Sequence, residues 1–325
     1  MCTHNDADHA NGILGFLKNE ELLCDEVWLP GIWTSRLKDI LVKPSIFIHE
    51  LVLDIDSNHL AYDLATLGDS YSDNELPLDN RNESEEYVQL EELYSDLEAS
   101  LEKNYDIHDV AQFHRGPYLW GLSPSHIELF VEAINAAKLI KDIAIAAFQK
   151  GANIKWFEYD EYQCSGGIDG ILEPLNSKEI STVKKRGALE YLALAMANRQ
   201  SLVFHSPSSS NAPAILFSAD SNFEFKQTIP WSNGMIITAS HHGSKSNSNC
   251  YLRYENERSE HLNSIWIRSD GRFRSRPGPW YLKIQSTQRY CTRCSPDFKS
   301  SQNVEFTANK SEWQSSSIAC TCGQK

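Results

Sequence analysis

Short apolar runs alternate along this chain with longer segments whose apolar residues recur every three or four positions. A two-residue period argues for strands and a 3.6-residue period for helices, so the alternation constrains the chain to an α/β architecture. The clearest helix is opened by Ser123-Pro124-Ser125, carries apolar positions from Ile127 through Phe148, and is closed by Lys150-Gly151. A short helix is expected to begin near Ala10, with Ile13, Leu14, Phe16 and Leu17 on one side, and another near residues 187–198. Strands are expected at 26–29, stopped by Pro30-Gly31, and at 153–157, 201–204, 214–218, 235–238 and 264–268. Ser45-Ile46-Phe47-Ile48 fits either a strand or a helix.

Charge divides the chain. The 325 residues carry a net −14, and the segment 54–106 alone holds 16 Asp/Glu against Arg81 and Lys103, a local −14. Within it, Val88, Leu90, Leu93, Leu97 and Leu101 keep helical spacing, and the stretch 54–122 reads as an acidic, partly helical insertion with a solvated face. From Arg268 to Lys325 there are 10 Lys/Arg and 4 Asp/Glu, a local +6, so the overall acidity does not exclude a phosphate-rich substrate. No apolar run approaches the roughly 18–20 residues that span a bilayer, and Met1-Cys2-Thr3-His4-Asn5-Asp6 is no signal peptide. A cytoplasmic protein with no membrane partner is expected.

Chemistry-bearing side chains fall at three places. His4-Asn5-Asp6-Ala7-Asp8-His9 offers four metal-ligating side chains in six residues, a spacing that suits a tight turn with His4 and Asp6 aimed one way and Asp8-His9 the other. Alone it reads equally as a solvated loop in which Asp8 caps the following helix. The run Ile215-Leu216-Phe217-Ser218-Ala219-Asp220 is an apolar strand ending in a carboxylate, and Met235-Ile236-Ile237-Thr238-Ala239-Ser240 delivers His241-His242-Gly243-Ser244 in the same way.

In this order the motifs resemble the metallo-β-lactamase fold superfamily, specifically the branch containing the hydrolase domain of the competence protein ComEC. Glu26-Val27-Trp28-Leu29-Pro30 and Asn198-Arg199-Gln200-Ser201-Leu202-Val203 match further segments of that branch, and the resemblance covers about residues 3–45 and 150–270. It implies an αββα sandwich, here lacking its first strands, over a hydrolase domain of residues 1–270. By resemblance His4, Asp6, Asp8, His9, Asp220 and His241 would hold two divalent ions. An aspartate at position 6, where the family usually has histidine, would shift the preference from zinc towards manganese. The implied chemistry is attack by a metal-bound hydroxide on a phosphorus or carbonyl centre, with Asp8 and His242 catalytic and Ser244 and Lys245 contacting a substrate phosphate. A further histidine ligand would come from His114 or His205. The family's late Gly-His-Pro is replaced by the neighbourhood of Arg274-Ser275-Arg276-Pro277-Gly278, which would supply cationic contacts.

Residues 271–325 form a basic extension with Cys291-x-x-Cys294 and Cys320-x-Cys322, compatible with a structural zinc site or with free thiols in a loop-rich tail. Arg289, Arg293, Lys299 and Lys310, interleaved with Tyr290, Phe298 and Phe306, could meet nucleic acid or a partner protein, or serve only solubility. The expected function is a metal-dependent hydrolase, foremost a phosphodiesterase or nuclease. The alternatives are an ester or thioester hydrolase, or an inactive, regulatory protein of the same fold that acts through a partner in a multi-protein system.

Overall fold

The computed structural model describes residues 1–5, 7–57, 87–103, 106–111, 124–188, 191, 200–259, 262–269, 276–294, 301–310 and 312–323. In chain order, α1 (Ala7–Lys18), β1 (Glu26–Pro30), α2 (Thr34–Val42), α3 (Pro44–Ser57), β2 (Tyr87–Gln89) and α4 (Glu92–Lys103) lead to the long α5 (Pro124–Gln149). There follow β3 (Asn153–Tyr159), β4 (Glu173–Pro174), β5 (Ser177–Glu179), β6 (Thr182–Lys184), β7 (Phe204–Ser206), β8 (Ile215–Phe217) and β9 (Ile236–Thr238). The last elements are α6 (Ser248–Glu257), β10 (Ile265–Arg268), α7 (Pro279–Lys283), β11 (Arg289–Cys291), β12 (Phe306–Asn309) and β13 (Glu312–Ser315). The architecture is α/β with mixed sheets, and no helix among the described residues is long and apolar enough to cross a membrane.

The chain forms two compact units, Met1–Glu158 with Glu179–Ala197, and Tyr159–Lys178 with Asn198–Lys325. In the first, β1 and β3 pair in parallel from Glu26↔Asn153 to Pro30↔Phe157. Gly31 follows because the backbone there passes so close that a Cβ would lie 2.5 Å from Ile180 Cδ1 and 3.3 Å from the Phe157 carbonyl carbon. Helix α5 is helical for the reason its spacing gives: Phe130, Ile134, Ala137, Ile140, Ala144 and Ala147 form one buried stripe. It ends as a helix should at glycine. Gly151 has φ +71°, its N–H reaches Phe148 O at 2.9 Å, and the Ala152 N–H reaches Ala147 O at 3.2 Å.

Several expectations shift. Helix α1 begins at Ala7 rather than near Ala10, so Asp8 lies inside its first turn instead of ahead of it. The ambiguous 45–48 segment is helical, because Phe47, Ile48, Leu51, Val52 and Ile55 bury at three- and four-residue spacing and Pro44 starts the helix, where its missing N–H costs nothing. Residues 87–89 pair with β6 as a strand before α4 begins. Leu93 and Leu97 of α4 are buried against α2 and α5, so this part of the acidic stretch contributes core as well as charged surface. Of the helix expected at 187–198, Gly187, Ala188 and Tyr191 are described, with the Tyr191 N–H donating to Gly187 O at 2.9 Å; the rest of it and most of 54–122 fall outside the described residues.

The second unit is built on a six-stranded sheet of order β11-β10-β9-β8-β7-β4. β8, β9, β10 and β11 are mutually parallel, and β7 runs antiparallel to both β8 and β4. The strand expected at 201–204 begins at Phe204, because residues 201–203 bond instead to the Asn176 side chain. Its Nδ2 donates to Ser201 O at 2.9 Å, and its Oδ1 accepts from the Val203 N–H at 2.7 Å. Helix α6 covers the sheet by packing Tyr251 at a tilt and Tyr254 edge-on against Trp266, with ring centroids 5.1 and 5.2 Å apart. Four adjacent parallel strands therefore present their carboxyl ends along one edge, where open α/β sheets gather their ligands.

Candidate metal centres

In the first unit the chain start is tied to β1 by the Cys2 N–H, which donates to Trp28 O at 2.8 Å. His4 is buried, and its Nδ1 lies 3.0 Å from the Thr3 hydroxyl. The ring of His9, in the first turn of α1, lies 4.3 Å centroid to centroid from that of His4. The amino-terminal motif thus brings its two histidines together, where the sequence reading aimed them apart. Asp6 lies outside the described residues, and so does the side chain of Asp8.

In the second unit the carboxyl edge of the sheet carries the other donors. β8 runs through Ser218 to Asp220, and β9 runs through Ser240 to His241. The two strand ends are stitched together: Ser218 N–H donates to Thr238 Oγ1 at 2.8 Å, His241 N–H to Ala219 O at 3.0 Å, and Ser240 Oγ to Ser221 O at 2.7 Å. The result is a buried Asp220 Oδ2 3.7 Å from a buried His241 Nε2.

Asn247 decides the tautomer of His241. Its Nδ2 donates to Asp220 O at 2.8 Å, so its Oδ1 is the atom 3.2 Å from His241 Nδ1, and an amide oxygen only accepts. Nδ1 therefore carries the proton and Nε2 presents its lone pair, the arrangement of a metal-ligating imidazole. Burial lowers the pKa of His241 further, against the opposing pull of Asp220, and keeps the ring neutral near pH 7. His242 follows the same logic, with Nδ1 2.9 Å from Ser269 O and 3.1 Å from Ser269 Oγ. Both histidines adopt left-handed backbone angles, φ 47° and 54°.

Arg276 reaches the same place. It is nearly buried, and its Nη2 contacts His241 Nε2. The segment carrying it is bolted to the histidine turn by the Gly278 N–H, which donates to Gly243 O at 2.7 Å. Ser244 is buried, and its hydroxyl accepts from Ser246 N–H while pairing with Ser246 Oγ at 2.9 Å; Lys245 is exposed. His205, on β7, is buried with neither ring nitrogen bonded among the described residues, and burial lowers its pKa against the pull of Glu173. His114 lies outside the described residues.

The four cysteines of the carboxyl-terminal segment converge. Their sulfurs all lie within 4.8 Å of one another, with Cys294 Sγ 3.7 Å from Cys320 Sγ and 3.5 Å from Cys322 Sγ. These separations exceed a disulfide bond of about 2.05 Å. They match the edges of a tetrahedron around an ion with bonds of about 2.3 Å, which holds its sulfurs about 3.8 Å apart. Hydrogen bonds from the Cys320 and Cys322 thiols, with Arg268 beside it, hold the Cys291 thiol well below its usual range; donating to Cys291 in turn raises Cys320 and pushes Cys322 up to about 11. Thiols so disposed are a candidate metal-binding group.

Sequence reasoning missed Asn247, Ser269 and Arg268. Arg268 left a trace, a charge at the end of the apolar run Ile265-Trp266-Ile267; Asn247, in a serine-rich turn, left none. Comparison with known proteins finds no matching family model, no matching curated protein and no matching solved structure.

Proposed function

We propose that the chain is a metal-dependent hydrolase with a fold of the metallo-β-lactamase type, acting on phosphodiesters and most concretely a nuclease. The observation that carries this reading is the Asp220–His241 pair: a carboxylate and a neutral imidazole 3.7 Å apart, with the imidazole's other nitrogen committed to Asn247. That donor set fits zinc or manganese. His4, Asp6, Asp8 and His9 are proposed as further ligands from their motif. A bound divalent ion would supply Lewis acidity and an activated water. The chain's own residues do the rest. Asn247 fixes His241, the Ser269 carbonyl fixes His242 so that its Nε2 can take or give a proton, and the Arg276 guanidinium suits a phosphate oxygen.

One contact favours a second reading, an inactive regulatory protein. Arg276 Nη2 sits on His241 Nε2, the lone pair a metal would use. Metal content per chain, measured on protein purified without chelators, separates the two together with turnover of bis(p-nitrophenyl) phosphate. Two ions beyond the cysteine cluster, and turnover abolished by Asp220→Asn, support the hydrolase. A chain without metal at Asp220 and His241 and without turnover is the regulatory protein.

A further inference from the structure

Two arginines lie buried in the second unit. Arg268, at the end of β10, is 1% exposed and Arg289, at the start of β11, is 4% exposed. A buried guanidinium is strongly destabilising unless an anion answers it. Among the described residues no carboxylate pairs with Arg289; its Nη2 donates to Cys322 O at 3.3 Å, and its Nε and Nη1 find no acceptor. Arg268 Nη2 donates to Cys291 Sγ at 3.1 Å and reaches Cys322 Sγ at 3.5 Å. The two guanidiniums lie over the same ring, 5.9 and 5.6 Å from the centroid of Tyr281. Arg268 thus meets the cysteine sulfurs themselves, and Arg289 meets the backbone of the same cysteine segment.

We propose that Cys291, Cys294, Cys320 and Cys322 bind one zinc ion as a tetrathiolate whose charge Arg268 and Arg289 balance, and that Arg268 thereby holds the His241–His242 turn in place. Four thiolates around a divalent ion leave two negative charges, and two guanidiniums cancel them. The turn rests directly on this centre. A Cβ at Gly243 would meet Arg268 Cδ at 3.2 Å and Tyr281 Cγ at 3.3 Å, so the backbone after His242 lies against the arginine stem and the tyrosine ring. The residue after Arg268 is Ser269, which accepts the His242 Nδ1 proton. Arg289 supports the same cluster from the next strand, and its carbonyl accepts from the Cys320 N–H at 2.6 Å. Two successive non-glycine residues in left-handed conformations are strained and persist only where the surroundings hold them, and a rigid metal centre beneath them supplies a fixed support. Arg268 is a positioning residue, and its role stands whether or not the histidines themselves hold a metal.

The test uses the full chain and needs no turnover. Cobalt substituted into the cysteine centre should show the sulfur-to-cobalt charge-transfer and intense visible bands of a tetrahedral tetrathiolate. Arg268→Met should lower cobalt affinity about 10–100-fold, as loss of a supporting partner does at metal sites, while Arg268→Lys recovers most of it. The nitrogen-15 imidazole signals of His242 should move in Arg268→Met and return in Arg268→Lys. A cobalt spectrum without sulfur ligation overturns the centre, and the wild-type protein alone decides that point if the variants fail to fold. Unchanged affinity in Arg268→Met overturns the charge pairing. Unmoved His242 signals overturn the positioning role.

Discussion

Gly278 is the joint that fixes Arg276 against His241, and replacing it with alanine tests that joint. The backbone angles at Gly278, φ −73° and ψ 167°, suit any residue, so the cost is steric alone. An alanine Cβ would lie 2.7 Å from Lys245 N, 2.8 Å from Lys245 Cα and 3.1 Å from the Ser244 carbonyl carbon. All three are backbone atoms, which cannot swing aside as a side chain would. Relief requires the two segments to part by about half an ångström, which forfeits the bond from Gly278 N–H to Gly243 O, worth about 0.5–1.5 kcal/mol, and adds overpacking of about 1–3 kcal/mol. The second unit should lose about 3 kcal/mol, a fall of roughly 10 °C in its melting temperature. Thermal unfolding followed at the buried tryptophans reads the stability, and the imidazole signals of His241 report whether Arg276 has left. Wild-type melting with unchanged His241 signals would refute the claim that residues 276–278 are locked to the histidine turn.

Leu97→Ala should cost the first unit about 2–5 kcal/mol in a urea titration, because Leu97 is buried in the core; a loss under 0.5 kcal/mol would make α4 a solvated appendage. Gly12→Ala should instead stabilise that unit by about 0.5–1 kcal/mol, since Gly12 lies within α1 and nothing stands within 4 Å of the added methyl. Burial lowers the pKa of His205 below its usual 6.5, so the unfolded chain binds the proton first on acidification. Its contribution is complete above pH 6.5 and is lost as pH falls below it, until the folded pKa is passed. His205→Leu should flatten the stability-against-pH slope just below pH 6.5, and an unchanged slope would show that His205 titrates normally.

Strand positions were legible because period and burial agree: residues 26–29, 153–157, 214–218, 235–238 and 264–268 each fall on a strand of the folded protein, with ends shifted by a residue or two. Helix α5 was legible from its stripe and its closing glycine. Segment 45–48 was not, because four residues of apolar sequence satisfy either period, and only Leu51, Val52 and Ile55 further along decide for the helix. At the edge of the sheet, Asp220 and His241 could be found as polar residues ending apolar strands. Asn247 could not, because a side chain that fixes a tautomer differs in sequence from any other asparagine in a turn. The four cysteines announced a cluster by spacing, whereas the arginines that answer them come from β10 and β11, separated from one another by a helical crossover.

Backbone strain in the second unit is concentrated beside these donors. Ala219, Phe223, His241 and His242 all have positive φ, from 47° to 59°, and none is glycine. Each costs on the order of 1–3 kcal/mol, and such conformations persist only where the surroundings over-determine them. The surroundings do so here. His241 N–H is held by Ala219 O, the Phe223 N–H donates to Ser221 Oγ, and the Phe223 carbonyl accepts from Arg253. At Phe223 the strain is offset by the burial of its ring in the core, whereas glycine would relieve it at the other three positions. Histidine at two of them trades stability for the placement of an imidazole, and the trade is made at the carboxyl ends of adjacent parallel strands, with a carboxylate 3.7 Å away. Strain, ligand-type side chains and sheet topology are independent properties of the chain, and their coincidence at this one edge is the strongest physical reason to look for chemistry there rather than elsewhere in the second unit.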